Sequence, residues 1–345
     1  MSITRQHKLK YVVLLIIGAM LFSFPAAFSQ KISSAEKKEL RKKEDTLTRL
    51  SREMVFGPEP GQRFRADSNF IRTFVRALKA KNAFFYPFDS LNISRLYAPD
   101  SSFRIFTWQM KKDEYVYLQK GAIQMNTPDG SLKLFPLFDY SMFATNPIDS
   151  TRNRNNWIGA IYYKIIAKEH AGKKYYTLLG FDDYAISSNK KWLEVLSFNN
   201  SGEPEFGGPL ISFKEDSLKK PVQFRFNIEY KKEAKTVFNY DPDLDMIVYD
   251  HLISESEEPA KKDTYIPDGD YEGFKWKDGQ WVHVDKVFNF KLEDGQTPVE
   301  DKLRDAEGNI DEKKLEEASQ RNIDRSKTPA KPPVKKKPAL KKNNN

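Results

Sequence analysis

The side chains best suited to chemistry in this sequence are carboxylates. Asp250 lies in the run Met246-Ile247-Val248-Tyr249-Asp250-His251-Leu252, where strand alternation puts it on one face with Met246, Val248 and Leu252. Ile247, Tyr249 and His251 then point the other way. Both faces are substantially apolar, so Asp250 is expected to be buried, and a buried carboxylate must be paired, hydrogen-bonded or raised in pKa. An upward shift suits a general acid; the commoner role is structural, as acceptor for a neighbouring loop or partner to an arginine. Asp182 and Asp183 follow the apolar run Tyr175 to Phe181 and form a second acidic pair. Two carboxylate clusters could serve glycoside hydrolysis, which needs only carboxyl groups at the right separation. A single sequence supplies no such separation.

Other chemistries leave fewer traces. The chain has no cysteine, which removes disulfides, thiolate metal sites and cysteine nucleophiles. Beyond the N-terminal segment the histidines are His170, His251 and His283, and none has a partner at metal-binding spacing. A histidine metal site therefore requires tertiary assembly, and neither metal nor cofactor is expected. The nucleophile elbow, the P-loop and the dinucleotide fingerprint are all missing from the sequence. Asp241-Pro242-Asp243-Leu244-Asp245 resembles the start of a calcium loop, but Met246 stands at the sixth position and Leu252 at the twelfth, where glycine and a bidentate glutamate are needed. It reads instead as a turn before a strand. The 25 Phe, 16 Tyr and 5 Trp suit strand packing between sheets. Trp276 and Trp281, flanking the turn Lys277-Asp278-Gly279-Gln280, are the best candidates for an exposed aromatic binding pair, or else a staple for that turn.

The elements that must position these groups are mostly strands. Two helices come first. Ser33 and Glu36 have capping-box spacing ahead of a thin stripe of Leu40, Leu47, Leu50 and Met54, which suits a helix laid on a surface or a solvent-bridging stem. Gly57-Pro58-Glu59-Pro60-Gly61 ends it, and a second helix is expected from Asp67 or Ser68, with a broad face of Phe70, Ile71, Phe74, Val75 and Leu78. From Phe103 to about Phe290 the period becomes two. Pro221 to Tyr230 is the clearest case, with Val222, Phe224, Phe226, Ile228 and Tyr230 on one face and Gln223, Arg225, Asn227 and Glu229 on the other. Turn signals at Lys111–Glu114, Thr127–Gly130, His170–Lys173, Asn199–Gly202 and Lys277–Gln280 separate about ten strands in consecutive hairpins. The expected fold is mainly β, an antiparallel meander forming a sandwich or open barrel, preceded by two N-terminal α-helices and followed by a disordered C-terminal tail.

Charge divides the chain further. Of the net +9, three units lie in residues 1–29 and seven in residues 326–345, which leaves −1 for everything between. The first segment carries Arg5, Lys8 and Lys10, an apolar run from Tyr11 to Phe22, Pro25, and Ala27-Phe28-Ser29 as a small-x-small site. That is the pattern of a secretory signal peptide, with a mature chain starting at Gln30 and no transmembrane segment after cleavage. An uncleaved anchor is the competing reading. Residues 30–62 form the first helix and its linker, 63–293 the β domain with its leading helix, and 294–325 a charged linker or surface helix. Residues 326–345, rich in lysine and proline, are expected to be disordered. Lys335, Lys336 and Lys337 could hold the tail to anionic envelope components, or the tail is simply a solvated end. Export makes nucleic acid a poor partner.

Tyr175 to Asp182, Glu194 to Phe198, Gly202 to Gly207 and Met246 to Leu252, together with the Phe28-Ser29-Gln30 ending of the leader, resemble uncharacterised exported proteins of the Bacteroidota. The resemblance spans roughly residues 100 to 290. It implies an exported, periplasmic or envelope-associated location and carries no activity or site residue with it. Two functional expectations follow. The first is a non-catalytic binding or structural module of the cell envelope; the second is a carboxylate-dependent hydrolase of an envelope polymer, using Asp250 with Asp182 or Asp183.

Overall fold

The computed structural model describes residues 32–288 and Lys313. The segment expected to be a signal peptide, the expected charged linker apart from Lys313, and the tail with Lys335, Lys336 and Lys337 lie outside the described residues. Helix α1 (Ser34–Phe56) starts on the expected box: the Ser33 hydroxyl accepts from the Glu36 amide, and the Glu36 carboxylate accepts from the Ser33 amide at 3.0 Å. Its stripe of Leu40, Leu47, Leu50 and Met54 is fully engaged in a core, so the helix is laid on the domain. Helix α2 (Pro60–Leu78) begins seven residues before the expected Asp67, with Glu59 at its N-cap. The reason is local. Proline is well suited to the first helical turn, so Pro60 opens the second helix while Gly57 closes the first. Asp67, expected to cap, is instead buried on the helix face, where it accepts from the Trp108 indole at 3.2 Å and pairs with Lys120.

Three sheets follow. The first is the meander β1 (Ser94–Tyr97), β2 (Phe103–Lys111), β3 (Tyr117–Met125), β4 (Lys133–Phe138). The second has the order β5-β9-β8-β7-β6, from β5 (Arg152–Asn153), β6 (Ile161–His170), β7 (Lys173–Asp182), β8 (Ser188–Phe198) and β9 (Pro204–Phe206). The third has the order β10-β15-β14-β13-β12, from β10 (Ile211–Ser212), β12 (Phe238–Asp241), β13 (Met246–Ser254), β14 (Tyr265–Lys277) and β15 (Gln280–Val284). β11 (Phe226–Lys231) pairs with β8 beside the second sheet. Among the described residues every ladder between these strands is antiparallel except the two-residue pairing of β10 with β15.

Side-chain alternation stacks these parts into layers. Phe106, Trp108 and Met110 of β2 pack on the helices, while Phe103 and Ile105 of the same strand face the second sheet. Tyr176, Leu178, Trp192 and Leu196 meet that face; Leu179, Leu193 and Val195 turn to the third sheet, where Ile247, Tyr249, Phe274 and Trp281 wait. Helices, first sheet, second sheet and third sheet are thus separated by three apolar cores. The chain is thus mainly β with two N-terminal helices, as its sequence predicts, and its antiparallel strands are shared among three sheets. The middle strands are covered on both faces, which explains why their sequences read as near-continuous apolar runs.

The segment expected to be the clearest strand is shorter than its pattern. Only Phe226–Lys231 is strand, and Val222 is exposed. Arg225, placed by alternation on the polar face with Gln223, Asn227 and Glu229, is fully buried and pairs with Glu194 at 2.8 Å. It sits before the strand begins, where period two no longer applies.

Candidate functional site

The expected site residues fall in different places. Asp250 is buried, and its carboxylate accepts from the Val237 amide at 2.5 Å as β12 approaches β13. Burial pushes its pKa up, while the Val237 amide and the Lys191 charge oppose the shift. Asp182, also buried, accepts from the Gln119 side-chain amide at 2.8 Å and the Tyr184 amide at 3.1 Å. Burial raises it to about 6 against those two hydrogen bonds. Asp183 binds Lys232 and the Gln109 side chain. Asp250 lines an open groove of about 370 Å³ whose lining includes neither Asp182 nor Asp183.

The tryptophans do lie across their hairpin, in register and with ring centroids 5.3 Å apart. They are not an exposed pair. Trp281 is fully buried in the core between the second and third sheets, its indole donating to Thr177 Oγ1 at 2.8 Å, and Trp276 is half-buried against Tyr175. The turn itself adopts left-handed backbone at Asp278 and Gly279, which turns the chain sharply and directs position 281 inward.

The groove beside Asp250 collects groups that sequence spacing did not connect. Its lining includes Lys220, Phe226, Tyr249, His251, Tyr265 and Glu272, with Leu252 and Lys262 at the same hollow. Strand register builds it: Tyr249 lies directly opposite Glu272, and Phe274 opposite His283, so alternation brings Tyr249, Glu272 and His283 to one face of the third sheet. His251, two residues after Tyr249, extends that face to the rim. Opposite His251 the ladder breaks. Asp250 pairs with Tyr271 and Leu252 with Pro267, so three residues of β14 face one of β13. This bulge, with Gly269 at φ +95°, turns Asp268 toward His251.

The resulting network is continuous. His283 is buried, its Nδ1 2.9 and 3.0 Å from the two Asp216 oxygens and its Nε2 2.8 Å from the Tyr249 hydroxyl and 3.3 Å from Glu272 Oε2. Tyr249 gives its single proton to Glu272 Oε2 at 2.7 Å. Asp216 can only accept, so Nδ1 carries a proton, and Nε2 must carry one as well to bond the Tyr249 oxygen and Glu272. His283 is thus an imidazolium held between two carboxylates. Burial would lower its pKa, but the bonds to Glu272 and Asp216 outweigh it and raise the value. Burial would raise Glu272, but the bonds from His283 and Tyr249 hold it below the usual carboxylate range. At the rim, His251 Nδ1 donates to Asp268 Oδ2 at 2.7 Å, and its Nε2 stands 3.8 Å from Glu272 Oε1.

Alternation had placed Tyr249 and His251 on a common face; the missing signal was Pro267-Asp268-Gly269, a turn-like triplet inside a strand, which marks a bulge. A second hollow of about 310 Å³ near Arg95 lacks comparable chemistry, since Arg95 is spent on the carbonyls of Asp89, Leu91 and Ile93. Among the described residues no group of three or more His, Asp or Glu side chains is arranged to hold a metal ion, and no helix is long and apolar enough to cross a membrane. Comparison with known proteins finds no matching family model, no similar curated protein and no similar solved structure.

Proposed function

We propose that this chain is an exported, envelope-associated binding module that takes its ligand in the groove between β11, β13 and the bulge of β14. The observation that carries the reading is the pre-set character of that groove. Half-buried Phe226, Leu252 and Tyr265 offer apolar walls, and the polar groups between them are fixed from behind by Asp268, Tyr249 and His283. Such an arrangement recognises a ligand with both an apolar face and polar substituents, as saccharide units of an envelope polymer have. The leader pattern and the resemblance to exported proteins of the Bacteroidota support the compartment, and the basic tail supplies a second, electrostatic contact with anionic envelope components.

Expressed in its source cell, the chain should be recovered from the periplasmic or envelope fraction starting at Gln30. The mature protein should co-sediment with the insoluble polysaccharide and peptidoglycan of that envelope. Tyr265→Ala should weaken this co-sedimentation about tenfold, about 1.4 kcal/mol, with an unchanged melting temperature. Deleting residues 328–345 should remove only the salt-sensitive fraction. Sedimentation that depends on the tail alone and ignores Tyr265→Ala would remove the groove from the account.

A further inference from the structure

We infer that the groove is also a catalytic site, in which His251 and Glu272 hold and activate a water molecule for hydrolysis of a carboxylic ester. The inference goes beyond binding and rests on the groove being where the ligand sits. With its Nδ1 proton given to Asp268, the imidazole of His251 in its neutral form presents a lone pair at Nε2. Glu272 has Oε2 occupied by Tyr249 and His283, which leaves Oε1 directed to the rim. Two acceptors, each locked from behind, therefore face one another at 3.8 Å, too far to bond and unable to bond without a proton between them. A water molecule donating one hydrogen to each satisfies both, and its own lone pairs then point into the groove.

The arrangement is that of a carboxylate-oriented imidazole general base. The water oxygen attacks the acyl carbon as its proton passes to His251 Nε2, forming a tetrahedral intermediate with a negatively charged oxygen. Collapse breaks the carbon–oxygen bond of the ester. His251 returns the proton to the departing alkoxide, giving an alcohol and a carboxylic acid, and the imidazole ends neutral. Lys220 and Lys262 line the same groove and form no ion pair among the described residues; their ammonium groups rest over Phe213 and Tyr265. They supply positive charge near the developing oxyanion. An ester suits this chemistry better than a glycoside: of the two groove carboxyls, Glu272 is held below the usual carboxylate range, and Asp250, which burial pushes up, has its Oδ2 tied to the Val237 amide. Acyl-substituted saccharides combine such an ester with the face the groove walls fit.

The test uses the full mature chain with p-nitrophenyl acetate and with acetylated xylan. The activated ester is small enough that any water activated in the groove will hydrolyse it. Turnover should exceed that of an equal concentration of free imidazole by at least about 10²-fold. His251→Ala should abolish the excess, and added imidazole should restore part of it. Asp268→Asn, a change in a positioning residue, should lower kcat about tenfold or more with KM little altered. Melting temperature should be retained in both variants, and the imidazole rescue together with the kcat-against-KM split separates loss of catalysis from loss of binding. A wild-type rate equal to free imidazole, or a rate that survives His251→Ala, overturns the proposal; if co-sedimentation still depends on Tyr265, the binding reading stands without it.

Discussion

Two clusters of charge sit behind the strands of this protein, and they are built differently. Between the first and second sheets, Glu194 accepts from Arg225 Nε at 2.8 Å and from the Tyr162 hydroxyl at 2.6 Å, and Trp157 donates to that hydroxyl at 2.8 Å. The rest of the guanidinium is taken by carbonyls of Pro147, Ser150 and Phe206. Each guanidinium nitrogen and both carboxylate oxygens thus have partners inside the protein. The cluster on the third sheet begins in the same way, with His283 enclosed by Asp216, Tyr249 and Glu272, but ends at Glu272 Oε1 and His251 Nε2 on the rim of a groove. Burial and charge are common to both. What separates a structural cluster from a candidate working one is whether oriented valences remain for something else.

The interior cluster should therefore respond most strongly to breaking. Glu194→Leu strands a fully buried arginine, and the expected loss is about 3–5 kcal/mol, a large part of the stability of an ordinary domain. Replacing the pair together, as Glu194→Leu with Arg225→Met, removes both charges and should recover most of that loss. Urea unfolding of the three proteins reads the difference directly. A single-variant loss below about 1 kcal/mol would mean that water reaches Arg225, and the contrast between the clusters would fail.

The two clusters were also unequally legible in the sequence. Local signals survived well: the capping box at Ser33 and Glu36, and the tight turns at Ala171-Gly172 and Asp278-Gly279, where left-handed backbone was required. Alternation correctly put Tyr249 and His251 together. Alternation could not show that Glu272 and His283 join them, because that depends on the register between strands and on a bulge that three residues create. The burial of Arg225 is illegible for a related reason. A polar residue in a period-two pattern reads as solvent-facing, and only the distant Glu194 makes its burial tolerable. Trp281 departs from its expectation in the same direction, since a residue flanking a turn looks exposed until a second sheet covers it.

Titration sharpens the comparison next, with a smaller effect. The His283 value is raised above 6.5, so its stabilising contribution is complete below the unfolded value and is lost as pH rises through the folded one. The Glu272 value is lowered from 4.5, so its contribution is present above the unfolded value and is lost as pH falls through the folded one. Both operate between about pH 4.5 and 6.5. His283→Gln should therefore cost about 1–2 kcal/mol near pH 5.5, and the gap from the native protein should narrow toward pH 9. Melting temperatures of the two proteins across pH 4–9 test this. A gap that widens with pH would mean that His283 is neutral in the fold, and the proton count around Tyr249 would have to be reassigned.

Asp182 lies between the two kinds of cluster and should give the smallest effect. It is buried like Glu194, yet it has amide donors from Gln119 and Tyr184 where Glu194 has a guanidinium, and Lys190 acts on it only through space. Its value is raised from 3.8 to about 6, so the native state holds this proton longer than the unfolded chain does. Its favourable contribution is present below 3.8 and is lost as pH rises through about 6, above which the charge works against folding. Asn at this position keeps an oxygen for both amide donors and discards the charge. Asp182→Asn should consequently raise stability by about 1 kcal/mol at pH 8 and leave it almost unchanged at pH 4. Destabilisation at pH 8 would place Asp182 with Glu194, as a carboxylate whose charge the surrounding protein requires.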